Sequence, residues 1–174
     1  MTGWAAAIFG TLVTAAVSTL GDYLWANVIP HHRPIYGLTH GALLFLTVGW
    51  CLGRPARKGA IGAVGGAFVG VLAAGGFYLT QPLIGYSGLF VFWIALWVAL
   101  GLFNERALQR RGDVGQALIR SGLAAVGSGV AFYAISGIWF PFNPHGWDYV
   151  SHLGRWTIAY LPAFFALLVG QRPK

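Results

Sequence analysis

From residue 59 to residue 77 the chain reads "GAIGAVGGAFVGVLAAGGF", nineteen residues without a charged or hydrogen-bonding side chain. A helix needs about 20 apolar residues to cross the hydrocarbon of a bilayer. This stretch belongs to a run over 59–80, and comparable runs lie at 4–29, 36–53, 83–103, 114–140 and 148–170. In lipid the backbone must satisfy its own hydrogen bonds, so a chain of this kind is confined to helices. The expectation is an all-α, polytopic bundle of six transmembrane helices forming a single domain over residues 1–174. The composition is 57% hydrophobic and 9% charged with a mean hydropathy of +0.67. A soluble globule has an apolar fraction of about 45–50%.

The breaks between runs carry helix-ending residues. Pro30 and Pro34 follow the first, Arg54-Pro55 ends the second, and Gln81-Pro82 separates the third from the fourth. Asp113 is placed to cap the fifth, with Gln116 three residues on as in a capping box. Asn143-Pro144 suits the start of the sixth. With six spans, Arg54, Arg57, Lys58, Arg106, Arg110, Arg111, Arg172 and Lys174 all fall on one side. The excess of basic residues in cytoplasmic loops then places both termini in the cytoplasm, in an inner (plasma) membrane. Met1 to Trp4 carry no basic residue and the first run is long enough to span, so no cleavable signal peptide is expected. The net charge of +7 is accounted for by topology and by contact with membrane lipids, without invoking nucleic acid.

Gly62, Gly66 and Gly70 recur every four residues in the third run, spacing that brings helix backbones together in lipid. Gly122, Ser128 and Gly129 repeat the idea in the fifth. No internal repeat of the kind found in inverted-repeat transporters is evident.

The ionisable residues of the other side are few and gathered. All five histidines fall there: His31, His32 and His40 in "PHHRPIYGLTHG", His145 in the last loop, and His152 in "HGWDYVSHLGRW". Asp22, about two turns before the end of span one, and Asp148 and Arg155, on either side of His152, join them. Asp148 and His152 are four apart and share a helix face, which Arg155 continues. Ionisable groups below the membrane surface face the bundle and find partners, and an Asp22–Arg155 pair with His40 beside it is the simplest arrangement. Asp22, His40, His152 and Arg155 are therefore the candidate ligand-binding residues, lining an outward-facing polar pocket.

Three chemistries suit such a pocket. The leading one is non-enzymatic binding of a lipid or other amphiphile, the arginine taking a phosphate or carboxylate head and the apolar helices a tail or ring system. The second is a metal site of His32, His40, Asp148 and His152, where zinc would activate water for lipid hydrolysis. The stretch "HHRPIYGLTHG" resembles the "HRGxTHS" signature of membrane-bound metal-dependent hydrolases at His32, Arg33, Thr39 and His40, with a longer gap and Gly41 in place of serine. The third is a haem held by His40 and His152. No cofactor is favoured by any motif. Neither lysine lies inside a span, which excludes a retinal Schiff base, and the single Cys51 excludes a disulfide or redox pair. No phosphate-binding loop of the GxxxxGK[ST] type is present, and no protein partner is indicated.

The six-span layout, the entry into span two over 34–41, the "GRPARK" that follows it, and the line Tyr149, Arg155, Pro162 in span six resemble the Insig (insulin-induced gene) family. That resemblance implies a non-catalytic helical bundle binding a sterol-like or diacylglycerol-like lipid.

Overall fold

The computed structural model describes residues 2–29, 34–109, 113–135 and 146–170. His31, His32, Arg33 and His145 lie outside the described residues.

Six helices follow one another: α1 (Gly3–Asn27), α2 (Pro34–Gly53), α3 (Gly59–Ile84), α4 (Gly88–Phe103), α5 (Val114–Ile135) and α6 (Asp148–Leu168). Among the described residues there is no strand. Each helix packs on its neighbour in sequence, and α6 returns to α1, closing a ring. The inside of the ring is filled by Val48 and Leu52 of α2, Trp97 and Leu100 of α4, and Tyr160, Phe164 and Leu167 of α6. Trp93 stacks on Phe132 at 4.3 Å between ring centres. Its indole N–H donates to Ser128 Oγ, which in turn donates to the Ala159 carbonyl and so links α4, α5 and α6.

The outside of the ring is apolar. On α3 the exposed side chains are Ile61, Val64, Phe68, Leu72, Leu79 and Leu83, the last 85% exposed, while the buried ones are Gly62, Gly66, Gly70 and Phe77. A helix in water is built the other way, with its large apolar residues inside. This arrangement suits a solvent of lipid tails, in which small residues drive helix contacts. Helices α1 to α5 are long and apolar enough to cross a membrane. α6 is as long as α2 but carries Asp148, His152 and Arg155, and falls short in hydropathy.

The glycine stripe of α3 meets a matching one on α2. Gly62 and Gly66 lie against Gly49, Gly70 against Gly41, and Gly53 reaches Lys58 and Gly59. A β-carbon at Gly49 would collide with the Gly62 carbonyl, and one at Gly62 with that of Gly49. The same holds for Gly66 against the Phe45 carbonyl and Gly70 against that of Gly41. Backbones this close exchange Cα–H···O contacts.

Two boundaries differ from those read in the sequence. The expected break at Gln81-Pro82 is helical: α3 runs through Pro82 to Ile84, and the turn is made by Gly85, whose φ of 60° favours glycine. Span four accordingly starts at Gly88 rather than residue 83. Pro34 sits at the first position of α2, where its missing N–H costs nothing. Asp113 caps α5 as expected, Oδ1 accepting the Gln116 N–H at 3.0 Å.

One end of the bundle collects cations that cap helix C-termini. Lys58 Nζ donates to the carbonyls of Ala107 and Leu108, and Arg120 Nη1 to those of Ala166 and Val169. Arg54 lies over the rings of Phe9 and Trp50 at 4.9 and 4.8 Å. Cations at these carbonyls are favoured by the helix dipole. Buried Glu105, 1% exposed, lies near this end.

Candidate functional site

The opposite end is built around the last turns of α1. Every fourth residue of α6 from His152 onward faces α1: His152 and Trp156 meet Asp22, Tyr160 meets Ser18, and Phe164 covers Gly10. On α1 the steps 10, 18 and 22 keep to one face by the same helical period. The two antiparallel helices thus mesh along their length, with polar contacts concentrated toward the C-terminal end of α1.

Asp22 Oδ2 accepts the Trp156 indole N–H at 2.6 Å and lies 3.1 Å from His152 Nδ1. Asp22 is 28% exposed and His152 15%. Both bonds fall on one carboxylate oxygen; among the described residues Oδ1 has no hydrogen-bond partner. Ionised Asp accepts at both oxygens, so Oδ1 is an open acceptor at a partly accessible position.

α2 flanks the other side of α1. Tyr36 Oη donates to the Gly21 carbonyl at 2.8 Å, and the His40 ring fills the space beside Gly21 that a β-carbon would occupy. Glycine at 21 is what lets an imidazole approach the backbone one residue from Asp22. Tyr36 stacks on His40 and packs against Trp25. Toward α6, Tyr149 packs on Tyr23 and His152, and its hydroxyl lies 2.6 Å from Asn27 Nδ2, which donates to it. The carboxylate is therefore flanked by aromatic rings from three helices.

Of the four candidate ligand-binding residues, Asp22 and His152 are bonded to each other and His40 packs beside them. Arg155 is half-buried on α6, but the expected Asp22–Arg155 pair does not form: Asp22 is met by His152 and Trp156 instead. The reason is helical phase. Trp156, four residues from His152, follows the α1-facing stripe that continues through Tyr160 and Phe164, and takes the position against Asp22. Trp156 was missed because an indole N–H carries no charge. Its spacing from His152 was the available signal.

Asp148 is exposed at the first position of α6, and His32 falls outside the described residues. Among the described residues no three His, Cys, Asp or Glu side chains form a group able to hold a metal ion. His40 and His152, the pair a haem would require, each face α1, one against Gly21 and the other on Asp22.

No protein-family model, curated protein or solved structure matches this chain.

Proposed function

We propose that the chain is a six-span inner-membrane protein, with both termini in the cytoplasm, that binds an amphiphilic ligand without chemical turnover at the Asp22 end of the bundle. The observation that carries this reading is the open Oδ1 of Asp22, held in place through Oδ2 by Trp156 and His152 and set among Tyr23, Tyr36, His40 and Tyr149. An acceptor anchored in this way suits a headgroup bearing a hydroxyl or ammonium donor. The aromatic rings suit the interfacial part of a lipid-like molecule, where Trp and Tyr collect in membranes. Arg155 belongs to the flank of the same site, where it would meet a phosphate or carboxylate on the ligand. A sterol-like or diacylglycerol-like ligand, as the Insig resemblance implies, carries the required hydroxyl.

Although α6 is the most polar helix, His152 in its second turn faces Asp22 on α1, which is how a spanning helix accommodates such a group. Two measurements test the reading. Cysteines placed at His31 and His145 in a Cys51→Ala background should label from outside intact cells, and one at Lys58 should not; labelling at Lys58 refutes the topology. Native mass spectrometry in mild detergent should find a co-purifying lipid-like molecule that Asp22→Asn loses and Asp148→Asn keeps. Retention of the same molecule by Asp22→Asn refutes the site.

A further inference from the structure

At the far end from Asp22, α5 and the end of α6 enclose a groove of about 790 Å³. Ile119, Leu123, Phe165 and Val169 form its apolar walls, and Arg120 lies within it. Arg120 is half-buried and stands seven residues after Asp113, about 10 Å of helix rise into α5. Its Nη1 serves the carbonyls of Ala166 and Val169. Among the described residues Nε and Nη2 donate to no group, and no carboxylate pairs with the guanidinium. Asp113, at the rim of the same groove, is turned to the Gln116 N–H.

A guanidinium at this depth is costly in lipid unless an anion meets it. Backbone carbonyls satisfy donors but bring no negative charge to the guanidinium. Ile119 and Leu123 are open to the bilayer, at 65% and 60% exposure, so the groove is entered from the lipid side. We infer that this groove is a binding site for an anionic phospholipid, its phosphodiester on Nε and Nη2 of Arg120 and an acyl chain along Ile119, Leu123 and Phe165. The planar fork of an arginine suits two phosphate oxygens. The site is separate from the Asp22 cluster, lying at the opposite end of α6.

The test is native mass spectrometry of the full chain with phosphatidylglycerol or phosphatidylcholine added in equal amounts. One phosphatidylglycerol should be retained in preference to phosphatidylcholine, and Arg120→Gln should weaken its retention about tenfold, as expected for losing a charge-assisted contact. Arg120 also caps α6, so a second variant leaves it in place: Ile119→Trp fills the groove and should expel the lipid. Leu72→Trp, the same bulk on the exposed face of α3, should not. Equal retention of the two lipids, or a phosphatidylglycerol preference that survives Ile119→Trp, overturns the proposal. Should Arg120→Gln fail to fold, Ile119→Trp alone decides.

Discussion

The glycine seam between α2 and α3 makes a prediction whose sign differs between positions. In a helix, alanine is more favourable than glycine by about 0.8–1 kcal/mol on propensity alone. Gly122 in α5 and Gly154 in α6 have nothing within reach of an added β-carbon. Gly122→Ala and Gly154→Ala should therefore be neutral or stabilising, by up to about 1 kcal/mol. Gly66→Ala has the same propensity gain but drives its methyl into the Phe45 carbonyl and the Gly49 backbone. The helices must separate, losing several Cα–H···O contacts of about 0.5–1 kcal/mol each together with close packing. Overpacking of this kind costs about 1–3 kcal/mol. The net expectation for Gly66→Ala is a loss of up to about 2 kcal/mol after the propensity gain is subtracted. Gly62→Ala should behave alike, and the double variant should cost less than the sum, because one separation relieves both clashes. The assay is reversible unfolding in mixed detergent micelles, followed by tryptophan fluorescence. If Gly66→Ala and Gly122→Ala shift stability equally, the seam does not hold the helices in backbone contact and the reasoning fails.

Ser18 Oγ and Tyr160 Oη share a buried 2.8 Å hydrogen bond. Ser18→Ala strands the phenol and should cost about 1–3 kcal/mol, while Ser18→Ala with Tyr160→Phe should cost less than Ser18→Ala alone; a strictly additive cycle by chemical denaturation argues against the bond. Thr11 and Thr14 are buried in α1 with hydroxyls that meet no partner among the described residues, unlike Thr19, Thr39 and Thr47, which bond the carbonyl four residues back. Thr14→Val should be neutral or stabilising in the same assay, and a loss above about 1 kcal/mol would mean that the hydroxyl is satisfied by internal water.

The parts of this fold legible in the sequence are those set by local pattern. Helix positions followed from apolar run length, and the cap at Asp113 and the packing face of Gly62, Gly66 and Gly70 followed from spacing. The partner of that glycine face was harder to see, because Phe45 interrupts the stripe of Gly41, Gly49 and Gly53 on α2. The break after α3 was misplaced because α3 continues through Pro82 although proline removes an intrahelical donor, and the positive φ at Gly85 leaves no trace beyond the residue type. At the site, Asp22 and His152 stood out as charges in an apolar context, but they are 130 residues apart. Nothing local states which face of α6 turns toward α1. Charge complementarity suggested Arg155; helical phase selected Trp156.

The closure of the ring by α6 has a consequence for how the protein is made. Of the six described helices, α6 follows the other five in the chain and falls short of the hydropathy at which they qualify to cross a membrane. What makes its polar first turns tolerable is a surface on α1, Ser18 and Asp22, synthesised more than a hundred residues earlier. Under the proposed six-span topology, insertion of α6 is a docking event rather than a simple partition, and α1 has to be in place, correctly turned, to receive it. Under that topology a lesion at Asp22 or Ser18 would be felt first as a defect in biogenesis, with α6 left outside the bilayer and the nascent chain open to membrane quality control.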